Sequence, residues 1–245
     1  MGKIQNVIRE GVAFGKHEVI LSVVVFAYLV ISYSVLSSLK VLNETYLMLL
    51  QVFFILVENY ITVCVYLGLK KSLWRDTFSP GRLFMEGNHF FGRVLLYKAA
   101  VGFLTLLILG FAHGMIEFLQ NVSVVKTVFM MGVTIIWLAF PVFILILSLF
   151  TPLIIIVEDI PLVSAVRKSV YFFKKFLSQI LLLVVVLLPL WIFAFFLLMV
   201  YNEITEMLKW GMFYFLALLE IATIRIFLVF YRDNMSFQKP IGDGK

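Results

Sequence analysis

Six stretches of this chain are long and apolar enough to cross a membrane: residues 19–39, 46–69, 95–119, 127–151, 177–200 and 209–231. A bilayer core is about 30 Å thick and offers the backbone no water to bond, so roughly 20 helical residues must span it. With 63% hydrophobic and only 14% charged residues, a soluble globular fold is excluded, since such domains carry about a quarter charged residues. Spans and connectors use up nearly all 245 residues, which leaves no room for a separate soluble catalytic domain. The predicted fold is an all-α polytopic membrane protein, a single membrane domain over 1–245.

The cations are sorted by side. Lys3, Arg9 and Lys16 precede the first span, and Lys70, Lys71, Arg75, Arg82 and Arg93 crowd the second connector, with Lys98 close behind. Arg167, Lys168, Lys174 and Lys175 occupy the fourth, and Arg232, Lys239 and Lys245 the tail. Opposite them stand only Lys40, Lys126 and Lys209. Lysine and arginine stay cytoplasmic during insertion, so both termini are predicted on the cytoplasmic side of a bacterial or archaeal membrane, with 236–245 a flexible tail. The net charge of +6 therefore reads as a topology signal and an anionic-lipid contact, not as nucleic-acid binding. No cleavable signal peptide is expected, because the first apolar run starts after Glu18 and no convincing small-residue cleavage site follows.

A basic amphipathic segment followed by two spans recurs three times, opening near Ile4, Pro80 and Pro161. In the third copy Leu162, Val166, Val170 and Phe173 share one helical face, while Ser164, Lys168, Tyr171 and Lys175 share the other. Such helices lie in the interface with cations toward headgroups. Ser79-Pro80 is a plausible cap and first turn, with Pro161 in the same role. Without gaps, Gly11, Gly87 and Ser169 align, as do Phe14, Phe90 and Phe172, and then His17, Arg93 and Lys175. The expectation is three cytoplasmic interfacial helices, six transmembrane helices, and an internal threefold repeat of helix plus helical hairpin over approximately 1–70, 71–151 and 152–235.

Thr151-Pro152 leading an apolar run to Glu158-Asp159, then Ala165-Val-Arg-Lys168-Ser169 and Phe172-Phe-Lys-Lys-Phe176, form a recognisable string. Together with the closing Val229-Phe-Tyr231-Arg-Asp233, they resemble a poorly characterised superfamily of six-span bacterial membrane proteins. That superfamily includes the membrane domain attached to some glycerophosphodiester phosphodiesterases. The resemblance covers the second half well and the first half only through topology. It implies the six-span fold and no catalytic residues; with no phosphodiesterase domain in this sequence, hydrolysis does not follow from it.

Ionisable groups within spans are costly and mark function by default. Glu58 lies 12 residues into span two and Glu220 lies 11 into span six, each about 17–18 Å deep and so near the midplane. Asn59 accompanies Glu58, and Arg225 lies one to two turns nearer the cytoplasm. One reading is a midplane polar site of Glu58, Asn59, Glu220 and Arg225 that binds a cation or exchanges protons. The other is structural, with Arg225 paired to Glu58 or Glu220 to lock helices together, or snorkelling to the interface. His17, Arg93, Arg167, Lys168, Lys174 and Lys175 are the expected anionic-lipid contacts. Gly110 and Gly114 predict close helix packing in span three, and Pro141 and Pro189 predict kinks. His17, His89 and His113 lack metal-ligand spacing, and Cys64 is the single cysteine. No metal, cofactor or catalytic motif is expected. The functional expectation is a transporter or permease-like protein for a small molecule, ion or lipid. The alternative is a non-transporting scaffold that binds lipid and serves a partner enzyme.

Overall fold

The computed structural model describes residues 2–38, 44–74, 76, 79–119, 150–199 and 206–235. Its elements are α1 (Gly2–Gly11), α2 (Lys16–Ser38), α3 (Glu44–Leu73), α4 (Pro80–Leu119), α5 (residues 150–158), α6 (Leu162–Met199) and α7 (Glu206–Met235). Among the described residues there is no strand. Five helices among the described residues are long and apolar enough to cross a membrane, and they identify a multi-pass membrane protein. Nearly all of the expected span at 127–151 lies outside the described residues, as do Pro141, Lys126, both hairpin tips and the tail 236–245.

The basic segments join the apolar runs that follow them in three ways. Residues 12–15 separate α1 from α2, and Gly15 N-caps the latter, its carbonyl accepting from Val19 N–H at 3.2 Å. In α4, by contrast, the segment from Pro80 and the span form one continuous helix of 40 residues. Nothing in Phe91-Gly92-Arg93 interrupts its hydrogen-bond ladder. In α6 they are merged across a break at Phe176 (φ −116°, ψ 21°), while Pro189 lies within helix. The interruption is thus thirteen residues from the proline expected to cause one. α4 begins at Pro80 as anticipated, with Leu83 N–H on the Ser79 carbonyl at 3.1 Å, whereas α6 begins one residue after Pro161.

Two compact units are distinguished: Met1–Phe91 with Lys174–Lys245, and Gly92–Phe173. In the first, α7 is the central helix and packs against α1, α2 and α3, while α3 also packs against α2. Its apolar window is 67% buried, against 17% for α2, and Ile226 to Tyr231 form one fully enclosed run. That burial follows from close approach. A Cβ on Gly11 would stand 2.9 Å from the Ile226 Cα, and one on Gly87 would stand 2.9 Å from Cys64 Sγ. Ile226 and Cys64 are each twenty residues after the first residue of their helix, so α7 and α3 receive these glycines at one register. Gly68 fits α2 in the same way, since its Cβ would meet Leu21 Cδ1 at 2.9 Å. At Gly110 and Gly114 nothing among the described residues lies within 4 Å of a Cβ. The partner that this small-residue step was expected to meet, the span at 127–151, lies almost wholly outside the described residues.

In the second unit the core is Phe150 and Leu153–Ile156 of α5 with Ala165, Ser169 and Phe172 of α6. The Phe150 and Phe172 rings are 5.2 Å apart. Ser169, which the sequence aligns with Gly11 and Gly87, is fully buried.

Candidate functional site

Glu58 and Glu220 each stand fourteen residues after the first residue of a 30-residue helix, in α3 and α7 respectively. A helix of that length is about 45 Å long, so both acids sit near its middle. The two helices are neighbours. Glu58 is exposed on α3, and Glu220 is half-buried on α7. Glu58 acts electrostatically on Tyr28 of α2, whose hydroxyl donates to the Phe54 carbonyl at 2.9 Å. Glu220 acts on Tyr66 of α3. Asn59 is buried, and its amide donates back to the Ile55 carbonyl at 2.7 Å, which spends that donor inside its own helix.

Arg225 is not held by either mid-span acid. Its guanidinium pairs with Glu18 Oε1 at 3.2 Å and donates to the Ala13 carbonyl. The ion pairs anticipated with Glu58 or Glu220 are replaced by one with a residue at the start of α2. Glu18 is 1% exposed and accepts from Gly15 N–H at 2.8 Å and from Ser72 Oγ of α3 at 2.6 Å. The physical reason is local: Glu18 is the third helical residue after the Gly15 N-cap, where a glutamate reaches back to the cap N–H. Once folded back, its carboxylate faces the end of α3 and the passing face of α7. Sequence reasoning missed Glu18; the glycine-to-glutamate cap spacing was the available signal.

Ion pairs also fasten the segments that precede the odd-numbered spans, each pair one residue before Gly11, Gly87 or Ser169. Glu10, before Gly11, meets Arg232 of α7 at 2.7 Å, and Lys3 donates to Asn234 at 2.8 Å. Glu86, before Gly87, meets Lys71 of α3 at 2.7 Å. Lys168, before Ser169, meets Glu158 of α5 at 2.5 Å, with the signs exchanged. Arg93 grips the turn after α5, donating to Asp159 Oδ1 at 2.7 Å and to the Ile160 carbonyl at 3.1 Å. That turn places Asp159 at a φ of 51°, a left-handed conformation that aspartate tolerates. The Arg232 hydrogen bond holds the Glu10 carboxyl below the usual glutamate range.

Of the expected lipid contacts, Arg93 and Lys168 are therefore engaged with carboxylates and His17 is half-buried. Arg167, Lys174 and Lys175 are exposed, and Lys175 Nζ lies 5.4 Å over the Phe176 ring. Among the described residues no three His, Cys, Asp or Glu side chains are grouped to hold a metal ion. Comparison with protein-family models, with curated proteins and with solved structures finds no match to this chain.

Proposed function

We propose that the chain is a six-span, permease-like transporter of a small molecule or ion, and that Glu58 is the group its substrate or a coupling proton meets. The observation that carries this is the exposure of Glu58 in the middle of a membrane-length helix. A carboxylate at that depth is costly against lipid and is retained where it faces water or a ligand. Arg225 is left out of the site, because Glu18 already neutralises it. Glu220, at the matching register of α7, is the second acid.

The repeat belongs to the same reading. Gly11 on α7, Gly87 on α3 and the Ser169–Phe172 face on α5 support an internal threefold pattern, in which each interfacial helix rests on the second span of the copy before it. The three ion pairs one residue earlier support it independently. Both termini lie on the cytoplasmic side in this account, following the cation asymmetry.

The test is flux in proteoliposomes, with protons and monovalent cations as the probes. Wild type is expected to conduct or exchange one of them, and Glu58→Gln to lower that flux by about tenfold or more at an unchanged melting temperature. Equal flux in wild type and Glu58→Gln refutes the site. A second reading, a lipid-binding scaffold, is favoured by Arg167, Lys174 and Lys175, which stand exposed on a helix without a single carboxylate from Leu162 to Met199. On that reading the protein carries no flux, and anionic lipid raises its melting temperature more than zwitterionic lipid does.

A further inference from the structure

We propose that the Glu18–Arg225–Ser72 network is the inner gate of the Glu58 site, closed in this conformation; the inference rests on the transporter reading of Glu58. Four segments of one unit converge on it. The 12–15 connector enters through the Gly15 N–H and the Ala13 carbonyl, α2 through Glu18, α3 through Ser72 and α7 through Arg225. Close backbone approach reinforces the junction, through Gly68 against Leu21 and Gly11 against Ile226.

Away from this end α2 and α3 lose their enclosure, while α7 keeps Met212, Phe213 and Ala217 buried. Beyond Val25, α2 has no buried residue among those described. Along α3 every residue from Val63 to Leu69 is buried, whereas between 46 and 58 only Phe54 is. Glu58 thus lies on the open side of the junction, just past the turn where α3 becomes enclosed.

The chemistry suits a contact that is made and broken as a whole. In a buried ion pair the desolvation cost nearly offsets the attraction, so separating the charges is inexpensive if water reaches both together. Arg225 Nε is buried without an acceptor, a cost that hydration on opening relieves. α7 carries both Arg225 and Glu220, so displacing it from α2 and α3 at this end couples the gate to the second acid.

The experiment uses the full chain with Cys64→Ala and Glu58→Cys, oriented in vesicles and challenged from either face with a membrane-impermeant maleimide. The parent is expected to react from the face opposite the Lys70–Arg232 end. Glu18→Gln with Arg225→Gln, which removes both charges together, is expected to raise reaction from the Lys70–Arg232 face by about tenfold. Ser72→Ala keeps both charges, is expected to raise it by about threefold, and decides the matter if the double variant fails to assemble. Outer-face reaction with no gain at the inner face in either variant overturns the gate and leaves the Glu58 site standing. Parent reaction from the inner face overturns the closed gate. Parent reaction from neither face overturns the site reading, and the gate falls with it.

Discussion

Glycine carries opposite consequences at Gly11 and Gly110. At Gly11 an added methyl meets the Ile226 backbone, which cannot swing aside as a flexible side chain does. Gly11→Ala is expected to cost about 1–3 kcal/mol by overpacking. Gly110→Ala meets nothing within 4 Å among the described residues and is expected to change stability by no more than about 0.5 kcal/mol. Thermal unfolding in one detergent compares the two. Glu10 gives a pH signature at the same scale. Arg232 depresses its folded-state value below the ordinary 4.5, so the stabilisation is present above that value and is lost as pH falls through the lowered one. Glu10→Gln is expected to melt lower than wild type at neutral pH, with the difference closing under acid; a gap that persists at low pH contradicts this. Glu18 was not legible as a site residue because it sits at the edge of a span, where acids attract no notice. Its importance comes from Ser72 and Arg225, 54 and 207 residues away along the chain.

Element existence was largely legible, because an apolar run of membrane length has one physical solution in lipid. Element continuity was not. The same basic-segment-then-span pattern yields a connector after α1, an unbroken helix in α4 and a break at Phe176 in α6. Amphipathic periodicity continues smoothly into a span, so the pattern contains no stop unless backbone chemistry supplies one. Small-residue spacing at Gly110 and Gly114 names a face without naming a neighbour, and the neighbouring span lies outside the described residues. Gly11 and Gly87 make close contacts and Ser169 is fully buried, with an ion pair one residue before each. The third pair runs with its charges exchanged, which defines a test. Lys168→Glu sets a second carboxylate beside Glu158 and is expected to destabilise. Adding Glu158→Lys to it is expected to recover about 0.5–3 kcal/mol through pair coupling. Additive losses in the double variant contradict the pairing.

At the scale of the molecule, the account divides the acids of the spans by role. Glu18 is buried and bonded to three other segments, and it supports the fold at one end of α2, α3 and α7. Glu58 is exposed at mid-span, and the proposed site is built on it. Hydropathy alone ranks these residues the other way, because depth in a span is readable in sequence and long-range pairing is not. The deciding measurement is thermal unfolding in detergent of wild type, Glu18→Gln and Glu58→Gln at neutral pH. Glu18→Gln strands the buried Arg225 charge and is expected to lose about 3–5 kcal/mol. Glu58→Gln is expected to melt within about 0.5 kcal/mol of wild type. A large loss in Glu58→Gln with little in Glu18→Gln would make Glu58 the structural acid and contradict the account.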